Sequence, residues 1–134
     1  MSRSRSVSAG GIVYDIGALV AAERADDQVW FVHRRALGRG LRPVVPSVVL
    51  ARAWRGGPQP DLSRLLTGCV IEALAEDAAR AVGRLLAANG SADVVDAAVV
   101  VSAASRGDLV VTSDPDDLAA LATALGVPLG IQAI

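Results

Sequence analysis

Short apolar stretches alternate with longer amphipathic segments along most of the chain. Apolar runs of this kind predict β-strands at 11–14, 43–46, 69–73, 108–112 and 127–134. The segments between them are rich in good helix formers and predict α-helices at 17–23, 27–37, 48–55, 61–66, 76–88, 91–106 and 115–125. Strands that alternate with helices are typical of a parallel sheet covered on both faces. We therefore expect an α/β fold, a three-layer α/β/α sandwich with a central, mainly parallel sheet.

The helix predicted over 91–106 differs from the others because its interior is apolar on every side, so it should be central and buried. We expect Ser91 to cap this helix, and Ser47 to cap the helix over 48–55. Asp114, followed by Pro115 and by an acid at the third helical position, has the composition of an ordinary helix start.

Length and composition indicate one domain. The chain has 134 residues, 52% of them hydrophobic, and a formal net charge of −1, which suits one ordinary core. We expect a single domain over 11–134, a disordered tail over 1–10, and no membrane segment, since no apolar run approaches the roughly 20 residues that a span requires. The lone Cys69 lies in an apolar run and is expected to be a buried, reduced thiol. These features favour a cytoplasmic protein.

Acidic residues stand at three points where an apolar stretch gives way to a helix: Asp15, Asp93 with Asp96, and Asp114 with Asp117. Helices that leave a parallel strand, and helices that lead into the next one, both begin over the carboxyl edge of the sheet, so these acids should meet in space. Clustered carboxylates resist ionising together unless a cation neutralises them, and such ligands suit Mg²⁺ or Mn²⁺. The sequence therefore predicts a divalent-cation site. The alternative is that each acid only caps a helix.

The basic residues limit the classes of catalytic site that the chain can contain. All thirteen are arginine, and no lysine is present. Haloacid-dehalogenase-like phosphatases and response-regulator receivers place a lysine near the aspartate that follows the first strand, and the former also need an acid where Gly17 stands. The single His33 is remote from any serine motif, and no Gly-Lys-Ser/Thr phosphate loop occurs. Hydrolase triads and nucleotide-binding folds therefore lose support.

A locally basic segment covers 33–42, and Arg52, Trp54 and Arg55 follow it. The planar guanidinium fork suits phosphate groups. Two interpretations remain open: solvated helix faces, or a phosphate-binding rim with Arg34, Arg35 and Arg55 as backbone clamps.

Four segments, taken in order, resemble a known family. They are Tyr14-Asp15-Ile-Gly-Ala-Leu, Pro46-Ser-Val-Val-Leu-Ala-Arg-Ala-Trp-Arg55, Ala92-Asp-Val-Val-Asp-Ala97 and Val111-Thr-Ser-Asp-Pro-Asp-Asp-Leu118. Together they resemble a PIN domain, in particular the VapC-type toxin ribonucleases, over nearly all of the chain beyond the tail. The resemblance implies Mg²⁺- or Mn²⁺-dependent cleavage of single-stranded RNA, a small cognate antitoxin as partner, and a homodimer.

The resemblance also implies roles for the acids. Asp15, Asp96 and Asp114 match the family's catalytic, metal-binding acids, and Asp93 and Asp117 are adjacent supporting acids. With these ligands, a metal-activated water is the expected nucleophile.

One departure from the family pattern bears on activity. Such proteins commonly carry a glutamate on the helix after the second strand, where Ala51-Arg52-Ala53 stands here. Glu23 is a poor substitute, because it lies roughly 12 Å beyond Asp15 at ~1.5 Å per helical residue. Arg52 would either weaken metal binding or contact the scissile phosphate, with Arg34, Arg35 and Arg55 as further RNA contacts. The alternative function is a degenerate PIN domain that binds RNA or a protein without catalysis.

Overall fold

The computed structural model describes residues 11–91 and 93–134, so the tail predicted over 1–10 lies outside it. The strands are β1 (Ile12–Tyr14), β2 (Val44–Pro46), β3 (Val70–Glu72), β4 (Leu109–Thr112) and β5 (Gly130–Ala133). The helices are α1 (Ile16–Glu23), α2 (Asp27–Gly38), α3 (Ser47–Ala53), α4 (Pro60–Thr67), α5 (Glu76–Asn89), α6 (Val94–Arg106) and α7 (Pro115–Leu125).

The five strands form one sheet in the order β3-β2-β1-β4-β5, and every pair is parallel. In the central pair, Val13 lies opposite Val110. Because parallel crossovers are right-handed, α1 to α4 cover one face on the way out to β3, and α5 to α7 cover the other on the way back. Helices within each of these two groups pack on one another. The predicted α/β/α sandwich is confirmed.

Helix α6 lies at the centre of the molecule, as its apolar composition predicted. It packs on β1, β2 and β4, and residues 97–100, 102 and 103 are buried. Its two ends reach the surface: Val94 in the first turn is 44% exposed, and Ser105 in the last turn is exposed. Within the described residues, no single helix is long and apolar enough to cross a membrane; α5 and α6 meet that criterion only together, with a bend of 114° between them.

Two predicted helix caps are wrong. Asp93, not Ser91, caps α6: its carboxylate accepts the backbone N–H of Asp96 at 3.0 Å, while the Ser91 hydroxyl accepts the N–H of Asp93 at 3.1 Å. The helix begins later than predicted because the serine organises the preceding turn instead. Ser47 is already the first helical residue of α3, and Pro46 before it makes no side-chain cap.

The closing strand is shorter than the predicted 127–134. Gly126 ends α7 in the left-handed region, at φ 81°, and the N–H of Val127 still bonds to the carbonyl of Ala122. This helix-terminating turn occupies the residues that an apolar pattern alone assigned to the strand.

Buried polar side chains in the core have hydrogen-bond partners within it. The Tyr14 hydroxyl and His33 Nδ1 lie 2.8 Å apart, and the edge of the Trp30 ring faces the imidazole. The Cys69 thiol is buried, as predicted, and donates to the carbonyl of Leu65. Burial raises the pKa of the thiol to about 12, so Cys69 is a poor nucleophile.

Replacing Val100, which is fully buried in α6, with Asp should prevent soluble expression. An unpaired buried carboxylate costs several kcal/mol against a total stability of about 5 to 15 kcal/mol. The matched control is Val70→Asp on the edge strand β3, where Val70 is 40% exposed, and this variant should express and melt close to the wild type. Soluble yield and circular dichroism are the measurements, and a folded Val100→Asp protein would contradict the central position of α6.

Candidate metal centre

The acidic residues gather where the direction of the chain across the sheet reverses. Strands β1 and β4 are neighbours, yet the chain leaves β1 towards β3 and leaves β4 towards β5. In open parallel sheets, ligands bind in the crevice outside the carboxyl ends of such a pair. Asp15 directly follows β1, and Asp114 follows β4 by two residues. Helix α6 begins over the same edge and brings Asp93 and Asp96.

Asp15 lies at the base of this crevice and is 1% exposed. Its Oδ1 accepts the backbone N–H of Ile16 at 2.7 Å, and its Oδ2 accepts the hydroxyl of Thr112 at 2.8 Å. The Thr112 hydroxyl in turn accepts the N–H of Asp114 at 2.9 Å. One buried hydroxyl therefore joins the ends of β1 and β4 to the start of α7. Thr112 was not predicted as a site residue; the signal was a threonine closing a strand two residues before an acid.

The start of α1 approaches the loop after β4 very closely. A Cβ atom added to Gly17 would lie 2.1 Å from Ser113 Oγ and 2.8 Å from its backbone nitrogen. Any larger residue at this position would force the Ser113–Asp114 loop outwards. The absence of a side chain at Gly17 thus allows Asp15 and Asp114 to share one crevice.

Three carboxylates converge above Asp15. One oxygen each from Asp96, Asp114 and Asp117 lies within 4.8 Å of the others. Asp96 is half-buried, whereas Asp114 and Asp117 are exposed. Asp114 stands at the N-cap position of α7 but makes no capping hydrogen bond with its side chain. The helix-cap alternative therefore does not account for the orientation of this carboxylate.

Burial and neighbouring acids raise the pKa values of Asp15, Asp96 and Asp114. Burial, followed by the charges of Asp93, Asp15, Asp114 and Asp117, raises the pKa of Asp96 to about 7. A hydrogen bond with Asp117 is the largest cause of the raised pKa of Asp114. Burial also raises the pKa of Asp15, against the opposing effects of the Ile16 N–H and the Thr112 hydroxyl. The carboxylates of the cluster therefore repel one another when they are ionised.

These residues fit a hard divalent cation. All of the donors are carboxylate oxygens, and Mg²⁺ is commonly held by one or two carboxylates with waters completing its shell. A cation bound among Asp96, Asp114 and Asp117 would relieve the repulsion that helps to raise the pKa values of Asp96 and Asp114. Asp15 lies beside this group rather than within it, and Asp93 is occupied as the cap of α6.

Glu23, the poor substitute for the glutamate that the resemblance leads us to expect, has a structural role instead. Its carboxylate accepts Nε2 of the buried Gln59 at 2.7 Å, and the same nitrogen also bonds to the carbonyl of Ala53. Glu23 therefore anchors the loop after α3 at the far end of α1 and is not among the converging acids.

The four predicted RNA-contacting arginines occupy different places. Arg52 is exposed on α3, which packs on α1 and α6, the helices that begin beside Asp15 and Asp93; its positive charge only partly offsets the rise that burial causes in the pKa of Asp15. Arg35 lines a cavity with Ile12 and Leu109, the first residues of β1 and β4, at the opposite edge of the sheet. Arg34 is exposed on α2, and Arg55 donates to the carbonyl of Trp54.

Comparison with known proteins supports the fold. No protein-family model and no curated protein sequence matches the chain. Among solved structures, the chain is similar to one in the crystal structure of VapBC2 from Rickettsia felis bound to a DNA fragment from their promoter, with a TM-score of 0.68. The match covers 92% of this chain and 98% of that one at 15% sequence identity. The chain therefore shares the α/β fold of that protein, with a central parallel sheet covered on both faces.

The metal-free protein should lose stability as pH rises from about 4 to 7. Because the pKa of Asp96 is about 7 when folded and near its ordinary value of 3.8 when unfolded, the folded state binds the proton more tightly. This stabilisation is complete below the unfolded pKa and is lost as pH rises through the folded one. In Asp96→Asn, the uptake of about one proton on folding should disappear.

Thermal melts in EDTA across this pH range test the prediction. Asp27→Asn is the matched control, since Asp27 is an exposed acid in the first turn of α2 and does not belong to the three converging acids. Its pH dependence should follow the wild type. Equal pH dependence in the wild-type and Asp96→Asn proteins would contradict the electrostatic description.

Proposed function

We propose that this protein is a divalent-metal-dependent endoribonuclease of the PIN type that cleaves single-stranded RNA and acts as the toxin of a toxin–antitoxin pair. The observation that carries the proposal is the convergence of Asp96, Asp114 and Asp117 above the buried Asp15, at the switch point of a PIN-like sheet. Fold alone does not define an activity. Here, a metal-dependent activity is supported by the carboxylate cluster, which has no other evident purpose and lies at the edge of the sheet where ligands bind.

In this proposal, Asp96, Asp114 and Asp117 hold Mg²⁺ or Mn²⁺, with Asp15 as an adjacent acid. When bound, the cation supplies positive charge to the scissile phosphate and lowers the pKa of a water molecule. The protein's part is to fix the geometry. Thr112 holds Asp15 and the start of α7 together, so the crevice is organised before the substrate arrives, as electrostatic catalysis requires.

The proposed partners are RNA and a small antitoxin protein, and the proposed assembly is a homodimer of single-domain chains in the cytoplasm. The antitoxin is supported by the structural neighbour, whose crystal structure is of VapBC2 with promoter DNA. Arg34 and Arg55 are retained as proposed contacts to the RNA backbone. Arg35, at the opposite edge of the sheet, would reach only RNA that extends around the molecule.

A degenerate PIN domain that binds RNA or a protein without catalysis is the second candidate. The observation that favours it is Arg52, a cation beside Asp15 where the family commonly carries a glutamate. The two candidates differ in metal affinity, since a degenerate site should bind Mn²⁺ weakly, and in turnover.

Millimolar Mn²⁺ or Mg²⁺ should raise the melting temperature of the wild-type protein, because the ion binds the folded state only. Asp96→Asn should melt slightly higher than wild type without metal, since one repelling charge is gone, and should lose the response to metal. Asp27→Asn, on the first turn of α2, should keep the response. Coincident melts of the wild type with and without metal would argue for mere helix caps.

Purified protein should cut structured RNA at exposed single-stranded positions with Mg²⁺ or Mn²⁺ and stop with EDTA. Asp15→Asn should lower the rate by about 10²-fold or more, the scale of removing a principal electrostatic contact. Asp27→Asn should cut at a rate close to that of wild type. Cleavage that persists unchanged in the Asp15→Asn and Asp96→Asn proteins would indicate a contaminant and leave the binding module as the better account.

A further inference from the structure

We infer that Arg52 takes the place of a second metal ion: the site works with one divalent cation, and the Arg52 guanidinium binds the scissile phosphate from the side of Asp15. This inference rests on the proposed nuclease function and identifies the group that binds one side of the scissile phosphate. It differs from the reading of Arg52 as a defect, because it makes Arg52 necessary for turnover.

Helix α3 carries Arg52 to the site by packing between α1 and α6. Val49 and Ala53, one turn apart, form the buried face of α3. Arg52 lies next to Ala53 on the helix, at the border of that face, with an exposed side chain. Helix α3 packs on α1, which covers one face of the sheet, and on α6, which covers the other, so it lies at the edge where Asp15 and Asp93 begin those helices. The exposed Arg52 is therefore carried on an element that borders the crevice.

Arg52 is available to bind a ligand. Within the described residues, Arg64, Arg80 and Arg106 form ion pairs with carboxylates, and Arg52 forms none. Its charge still acts on Asp15. Arg52 thus stands on a helix that borders the crevice and, among the described residues, forms no ion pair. A phosphate oxygen that entered between the metal and Arg52 would meet a planar fork of donors.

The charges favour one cation and one arginine. When ionised, Asp15, Asp96, Asp114 and Asp117 carry four negative charges, and one divalent ion offsets two of them. The remaining charge repels a phosphodiester, so further positive charge is needed on the side of Asp15. Arginine is protonated at any physiological pH. A fixed cation beside Asp15 repels a second metal ion and supplies the charge that this ion would have brought.

The step assigned to Arg52 is stabilisation of the phosphoryl group during hydrolysis. The oxygen of a water molecule forms a bond to phosphorus, and the bond from phosphorus to the leaving ribose oxygen breaks. The water gives up one proton to a carboxylate or to solvent, and the leaving oxygen takes one from solvent. Arg52 donates to a non-bridging oxygen whose negative charge grows in the transition state, and undergoes no proton transfer itself.

Counting bound Mn²⁺ by isothermal titration calorimetry tests the inference without RNA. The wild type should bind one ion per chain, and Arg52→Glu should bind two, because the substitution both removes the repelling charge and adds an oxygen ligand. Two ions in the wild type, or one in both proteins, would overturn it. A wild type that binds no Mn²⁺ would overturn both this inference and the proposed metal site.

Cleavage kinetics provide the second readout. Arg52→Ala should lower kcat by about 10²-fold with little change in KM, and Arg52→Lys should recover part of the loss. Arg84→Ala is the control for net charge, since Arg84 is exposed on α5 beside the end of α7, and its rate should match the wild type. A rate in Arg52→Ala equal to or above that of wild type would overturn the inference.

Binding of RNA separates this inference from the nuclease proposal. If the wild type binds Mn²⁺ but cuts nothing, the proposed function fails, and the phosphate contact is then read from the affinity for a short single-stranded RNA with Ca²⁺. In that case, Arg52→Ala should weaken binding at least about tenfold relative to Arg84→Ala. Equal affinities of the two variants would show that Arg52 does not contact phosphate.

Discussion

The hydrogen bond from the Thr112 hydroxyl to the Asp15 carboxylate fixes the arrangement on which the site depends. Thr112 is fully buried and Asp15 nearly so, and a buried carboxylate is tolerated only when its oxygens have partners. The same hydroxyl accepts the N–H of Asp114. The ends of the two central strands and the start of α7 are therefore held in one geometry, and the converging acids stand on that frame.

The protein contains two groups of acids that are stabilised in opposite ways. Around Arg106, every charge has a partner: its guanidinium bonds to Glu72, Ser102 and Asp108, and ties α6 to the strands on either side. Among the described residues, the acids at the carboxyl edge form no ion pair with an arginine; burial and neighbouring acids raise the pKa of Asp96, and a hydrogen bond with Asp117 raises that of Asp114. The first group therefore has a structural role, whereas the second retains unbalanced negative charge that a cation would neutralise.

Arg52 is the point at which this chain departs most from the pattern it resembles. An acid on α3 would add to the ligands of a metal, whereas an arginine there adds positive charge and removes a ligand. The rest of the crevice is complete without that acid, since Mg²⁺ requires few carboxylates. A change of sign at one position therefore alters how the site would bind phosphate while the converging acids remain in place.

The sequence determined the fold class and the convergence of the acids. Alternating apolar runs and helical segments were enough to predict a covered parallel sheet, because burial dictates the spacing of apolar residues in both strands and helices. The rule that helices begin over the carboxyl edge of the sheet placed Asp15, Asp96 and Asp114 together. The caps of α3 and α6 were wrong because several polar residues compete to start a helix, and local pattern does not choose among them. Only the tertiary structure decided that Asp117 completes the converging group, that Thr112 secures Asp15, and that Glu23 belongs to Gln59. These pairings depend on side chains from distant segments meeting across the crevice, and such distances are set by the packing of whole helices and strands rather than by sequence spacing.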